Sequence, residues 1–147
     1  MNAFHFPLQK ALDLRQTQLT LEESRYRQQL AELGAIDRSR AEAEASGLRA
    51  EIEIRQSSSV RGSDLTALDR FRLRVKNDQA RIAAQRETAV RELAVRQDRM
   101  LLARRRSKLL ERLRERRLQE WQADRDRELE KIANESYLAQ WSLRQGR

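Results

Sequence analysis

The chain has 147 residues, 37% of them charged and 39% hydrophobic, with four glycines, one proline, no cysteine and a formal net charge of +8. So polar a composition argues against an ordinary compact core, and the lack of cysteine excludes disulfide frameworks and thiolate metal sites. No apolar run approaches the roughly 20 residues needed to cross a bilayer, and "MNAFHFPLQK" lacks the continuous apolar core of a secretory signal, so a cytoplasmic protein is expected.

The spacing of the apolar residues decides between disorder and long helices. From Leu8 onward it is helical. Leu8, Leu19, Leu30, Ala41 and Ile52 stand eleven apart, with Leu12, Tyr26, Leu33 and Leu48 on the flank of the same stripe. An eleven-residue period is about 3.67 residues per turn, which predicts a straight or slightly right-handed coil. Pro7 suits a first helical position, where its missing N–H costs nothing, so helix one is predicted over about 7–55. Gly34 and Gly47 fall inside it, each costing about 1 kcal/mol relative to alanine.

The stretch "QSSSVRGSDL", Gln56 to Leu65, is the densest Ser and Gly cluster and predicts a turn over about 56–64, with Ser63 or Asp64 capping the second helix. Helix two is predicted over about 65–143, because no Gly or Pro interrupts it before Gly146. Its stripe runs through Phe71, Ile82, Leu93, Leu110, Trp121 and Ile132. No segment shows the period of two that strands require.

A short link between two long amphipathic helices predicts an all-α fold: a two-helix antiparallel coiled-coil hairpin forming one elongated domain over 1–147. At 1.5 Å per residue the arms come to roughly 70 Å and 120 Å. The second helix is therefore expected to overhang the first by about thirty residues, near 113–143, exposing Leu113, Leu118, Trp121, Leu129, Ile132, Tyr137, Leu138 and Trp141.

Catalysis finds no support in the sequence. The one histidine, His5, lies between two phenylalanines, and no glycine-rich loop could hold a nucleotide phosphate. Carboxylates spaced along solvated helices are ordinarily salt-bridge partners, so no metal, cofactor or small-molecule substrate is expected.

Charge is concentrated instead. Residues 99–118 hold nine basic and two acidic side chains, nearly the whole excess of the chain. On a helical wheel Arg104, Arg105, Lys108, Arg112 and Arg116 share one face, with Leu109, Leu110 and Leu113 opposite and Arg106 and Arg117 intruding. Seven net charges so close together repel and favour an anionic partner. Nucleic acid, a membrane surface and an acidic protein are the candidates. The block has no zinc-finger spacing and no stacking aromatics, and its leucine face is narrow. A carboxylate-rich protein fits best, because arginine pairs bidentately with carboxylates.

The pattern Phe4-x-Phe6-x-Leu8-x-x-x-Leu12-x-x-Arg15 resembles the start of the flagellar FliJ family, the stalk proteins of the flagellar type III export apparatus. "LLERLRERRLQEW", Leu109 to Trp121, and the later "LEKIANESYLAQW" resemble that family's second-helix tail. The resemblance implies an antiparallel coiled coil similar to the central stalk of rotary ATP synthases. It implies seating in the hexameric export ATPase, promotion of ring assembly, and contacts with the membrane export gate and export chaperones. It further implies a cytoplasmic protein held peripherally at the inner membrane of the flagellar base, with no nucleic-acid partner. An aromatic residue followed at i+4 by an aliphatic contacts the gate in some members, which places Phe71 and Val75 there. The next two contact positions fall at Asp78 and Ile82, where this chain departs in residue type. The ring is then expected to meet Arg104, Arg105, Lys108, Arg112, Arg116, Leu118 and Trp121. A nucleic-acid-binding coiled coil and the stalk of a virulence-type secretion system are the alternatives.

Overall fold

The computed structural model describes residues 2–146. Among them two helices form, α1 (Gln9–Gln56) and the longer α2 (Gly62–Gln145), with no strand. They make the expected antiparallel hairpin, α2 unbroken to its end. Pro7 and Leu8 form a turn ahead of α1, and helical bonding begins where the Leu12 N–H donates to the Leu8 carbonyl at 2.9 Å. Proline thus precedes the helix here and does not open it.

The start of α2 is set by a reach-back bond. The Arg61 N–H donates to Asp64 Oδ2 at 3.0 Å, while the Asp64 N–H donates to the Arg61 carbonyl at the same distance. Asp64 therefore serves as the acidic residue inside the first turn, supplying one half of a capping box, and Arg61 occupies the cap position. The turn contracts to residues 57–61, with the Ser57 hydroxyl donating to the Ser59 carbonyl at 3.0 Å.

Contacts divide the chain into two compact units: residues up to Leu19 together with those from Leu102, and Thr20–Leu101. Within Thr20–Leu101, Arg72 Nε donates to Glu51 at 3.0 Å, Arg86 Nε to Asp37 at 2.7 Å, and Gln29 Nε2 to the Ala89 carbonyl at 3.4 Å. Partner numbers fall along α1 as they rise along α2, which defines antiparallel pairing. The residues of this face withdrawn from solvent include Glu22, Tyr26, Gln29, Leu33, Ile36, Ala43, Gly47, Ala50 and Ile54 on α1 and Leu68, Val75, Ile82, Ala89, Arg96 and Met100 on α2. Along α1 steps of three and four alternate apart from one step of seven, Ile36 to Ala43, and Leu68, Val75, Ile82, Ala89 and Arg96 on α2 stand seven apart. That is a heptad seam with 3.5 residues per turn, the period of a left-handed coiled coil.

The eleven-residue stripe is accordingly not the packed face. Leu8, Leu30 and Ile52 are 42%, 41% and 50% exposed, and Ala41 is exposed as well, whereas the flanking Leu12, Tyr26 and Leu33 lie inward. A line of eleven-residue steps turns about 50° per step against a seven-residue seam, so only Leu19 of the stripe stays near the contact. Polar and small residues stand at several seam positions instead: Glu22, Gln29 and Gly47 on α1, Arg86 and Arg96 on α2.

The other unit pairs the N-terminal segment with α2. Gln16 Nε2 donates to Glu111 Oε1 at 3.4 Å, Arg114 Nε donates to Gln9 Oε1 at 3.1 Å, and the Phe4 ring meets Trp121. Phe6 and Leu12 are its buried apolar residues on the N-terminal side. Residues 2–6 are not helical, yet they extend the cover of α2 as far as Trp121. The overhang therefore begins near Gln122 and not near 113, because the chain ahead of α1 packs against α2. Leu113, Leu118 and Trp121 are half-buried, while every described residue from Gln122 to Gly146 is exposed.

Candidate partner-binding surfaces

The helical period places the basic block relative to the packed face. Ser107 is completely buried, its hydroxyl donating to Glu111 Oε1 at 3.2 Å, and Arg114 turns inward with its guanidinium 5.8 Å from the Phe4 ring centroid. Arg105, Lys108, Arg112 and Arg116 lie on the opposite side of the same turns and are exposed; Arg104 is half-buried at their edge. The result is an outward basic ridge about four turns long.

The block's own two glutamates, Glu111 and Glu115, do not neutralise it. Glu111 accepts from Ser107 and Gln16, and Glu115 accepts from Gln119 at 3.2 Å. Arg116 and Arg117 share Glu120 at 3.8 and 3.9 Å, loose contacts between exposed side chains that contribute little. Among the described residues no ion pair engages Arg105, Arg106, Lys108 or Arg112. Leu109, 65% exposed, stands beside Arg105, Arg112 and Arg116, so the wheel's division into basic and apolar faces blurs at that edge. Leu110, by contrast, turns towards the seam.

Leu118 and Trp121, assigned from the sequence to a free overhang, are half-buried under the N-terminal segment. The Trp121 ring lies 6.0 Å from Phe4 at 56°, and the Arg125 guanidinium covers it at 5.3 Å. Sequence reasoning missed this contact because it began helix one at Pro7 and gave Phe4 and Phe6 no structural task. The aromatic pair at i and i+2 ahead of the proline was the available signal.

Near the turn, Phe71 and Val75 are half-buried and line one groove with Gly47, Leu48, Glu51 and Lys76. Ile82 is only 8% exposed. Its expected place on a contact surface is therefore taken by a place in the seam, which leaves Phe71 and Val75 as the reachable pair. Asp78 pairs with Arg81 at 3.2 Å. A Cβ added at Gly47 would stand 3.6 Å from Val75 Cγ1, ordinary contact, so close approach does not demand glycine there.

Among the described residues no cluster of three or more His, Asp or Glu is placed to hold a metal ion, and no helix is long and apolar enough to cross a membrane. Comparison of the chain with family models, curated proteins and solved structures gives no match.

Proposed function

We propose that this chain is a non-enzymatic stalk and coupling protein of the flagellar type III export apparatus. It enters the export ATPase hexamer, promotes assembly of the ring, and links it to the membrane export gate and to export chaperones. Its place is the cytoplasm, held peripherally at the inner membrane of the flagellar base. The observation that supports this most is the basic ridge. Among the described residues Arg105, Lys108 and Arg112 have no carboxylate partner, and they project from a helical scaffold ready to meet carboxylates lining a ring.

The ridge carries the ring contact in this reading, and Leu118 and Trp121 hold the N-terminal segment beside it. Phe71 and Val75 carry the gate contact. The hairpin also presents unlike faces around its axis, so subunits of a ring would meet different side chains, which biases nucleotide turnover from one subunit to the next. A pull-down from lysate of the source cell tests the assignment. Recovery of an export ATPase or its gate supports it, and neighbouring genes separate a flagellar from a virulence-type system.

The same uncompensated arginines favour one second reading, a nucleic-acid-binding coiled coil. That reading predicts duplex DNA binding that weakens steeply with salt. Submicromolar binding to random DNA surviving at physiological salt would favour it over the stalk.

A further inference from the structure

The last part of α2 is the largest surface left uncovered. From Gln122 to Gly146 every described residue is exposed, and Leu129, Ile132, Tyr137, Leu138, Trp141 and Leu143 are each more than half exposed. Six large apolar side chains within fifteen residues of one helix form a surface of the kind that other molecules cover.

The distribution of charge along this segment indicates what covers it. Residues 122–135 hold five acidic and three basic side chains, whereas residues 136–147 hold two arginines and no acid. The root of the tail is negative and its tip positive. Two tails laid antiparallel bring opposite signs together, while two laid parallel bring like signs together.

Helical register sharpens the match. Asp126 and Arg144 are eighteen residues apart, five turns at 3.6 residues per turn, so they lie on one line along the helix. Ala133 and Tyr137 lie close to that line between them, with Leu129 and Trp141 on its flanks. A two-fold pairing centred near Glu135 sets Asp126 of each copy against Arg144 of the other. It also sets the small Ala133 against the large Tyr137, and Leu129 beside Leu143. Such self-complementarity is what a two-fold interface requires.

We propose that the α2 tail is a homodimerisation surface on which two copies of this chain pair antiparallel through residues 126–144. Half-exposed apolar side chains present on the order of 100 Å² each, so covering Leu129, Tyr137, Trp141 and Leu143 on both copies buries roughly 800 Å², the size of a weak, transient interface. Association is therefore reversible, with a dissociation constant on the order of 1–100 μM. Ile132 and Leu138 lie off the pairing line and remain outside the contact. The proposal does not rest on the stalk reading, since loss of tail pairing leaves the response of an export ATPase to the ridge untouched.

The test is sedimentation of the full chain from about 1 to about 300 μM, spanning the expected constant. The mass should climb from 17.4 kDa towards twice that value. Tyr137→Glu and Arg144→Asp should each weaken pairing at least about tenfold, and combining Asp126→Arg with Arg144→Asp should restore it. Leu138→Glu should leave it unchanged. The natural chain has no cysteine, so orientation can be read directly. Asp126→Cys copies should link to Arg144→Cys copies in preference to one another. A monomer throughout the range, a dimer indifferent to Tyr137→Glu and Arg144→Asp, or preferential linking of Asp126→Cys copies to each other overturns the proposal.

Discussion

Phe4 lies against Trp121 with ring centroids 6.0 Å apart and planes at 56°, and the Arg114 guanidinium stands over the Phe4 ring, 5.8 Å from its centroid. A nonhelical residue ahead of α1 thereby fixes how far along α2 the cover extends. Phe4→Ala should cost about 1–2 kcal/mol, the loss of a half-buried aromatic and its edge contact. In a Trp141→Phe background the emission of Trp121 should shift to the red as water reaches it. Unaltered emission would mean that Phe4 does not shield the indole.

Burial separates Ile82 from its neighbours on α2. Ile82→Ala should lower stability by about 2–4 kcal/mol through lost contact and an unfilled cavity. Leu109→Ala, at an exposed site, should stay within about 0.5 kcal/mol. Urea unfolding followed by circular dichroism gives both values. Equal effects at the two sites would place the seam elsewhere.

The seam carries polar residues that weaken it. Gln29 is buried and reaches the Ala89 carbonyl only at 3.4 Å, a long and weak hydrogen bond. Gln29→Leu should raise stability by about 1 kcal/mol while relaxing the register that a polar seam residue imposes. A lower unfolding midpoint for this variant would show that the hydrogen bond outweighs its desolvation.

Gly34 and Gly47 sit in α1 with no left-handed backbone and with room for a methyl group, whose nearest neighbours would be side-chain atoms at 3.6 Å. Alanine at either position should stabilise the hairpin by about 0.5–1 kcal/mol, chiefly by reducing the freedom of the unfolded chain. A destabilised Gly47→Ala chain would show that Val75 cannot accommodate the methyl group.

Much of this architecture is legible in the sequence. The helices, the turn, the antiparallel hairpin and the longer second arm follow from apolar spacing and from the Ser and Gly cluster around 57–62. The seam is less legible. Leucines spaced by eleven draw attention to Leu8, Leu30 and Ile52, but side chains at heptad positions make the contact whether or not they are apolar, so Glu22, Gln29 and Arg96 were hidden by their polarity. The outward direction of the basic ridge could be read from the wheel. That Glu111 is engaged by Ser107 and Gln16 could not, because Gln16 lies on the other helix. Packing of Phe4 on Trp121 was equally hidden, since it joins residues far apart through a segment with no periodicity.

The proposed stalk role rests on the ridge, and its most direct test is the activity of a flagellar export ATPase from the same cell with and without this chain. The wild-type protein should increase turnover. A variant combining Arg105→Glu, Lys108→Glu and Arg112→Glu should lose at least about tenfold in potency, since each reversal replaces an attraction with a repulsion, while its helical circular dichroism stays unchanged. Turnover that does not respond to the wild-type protein, or responds equally to the folded variant, would contradict the account.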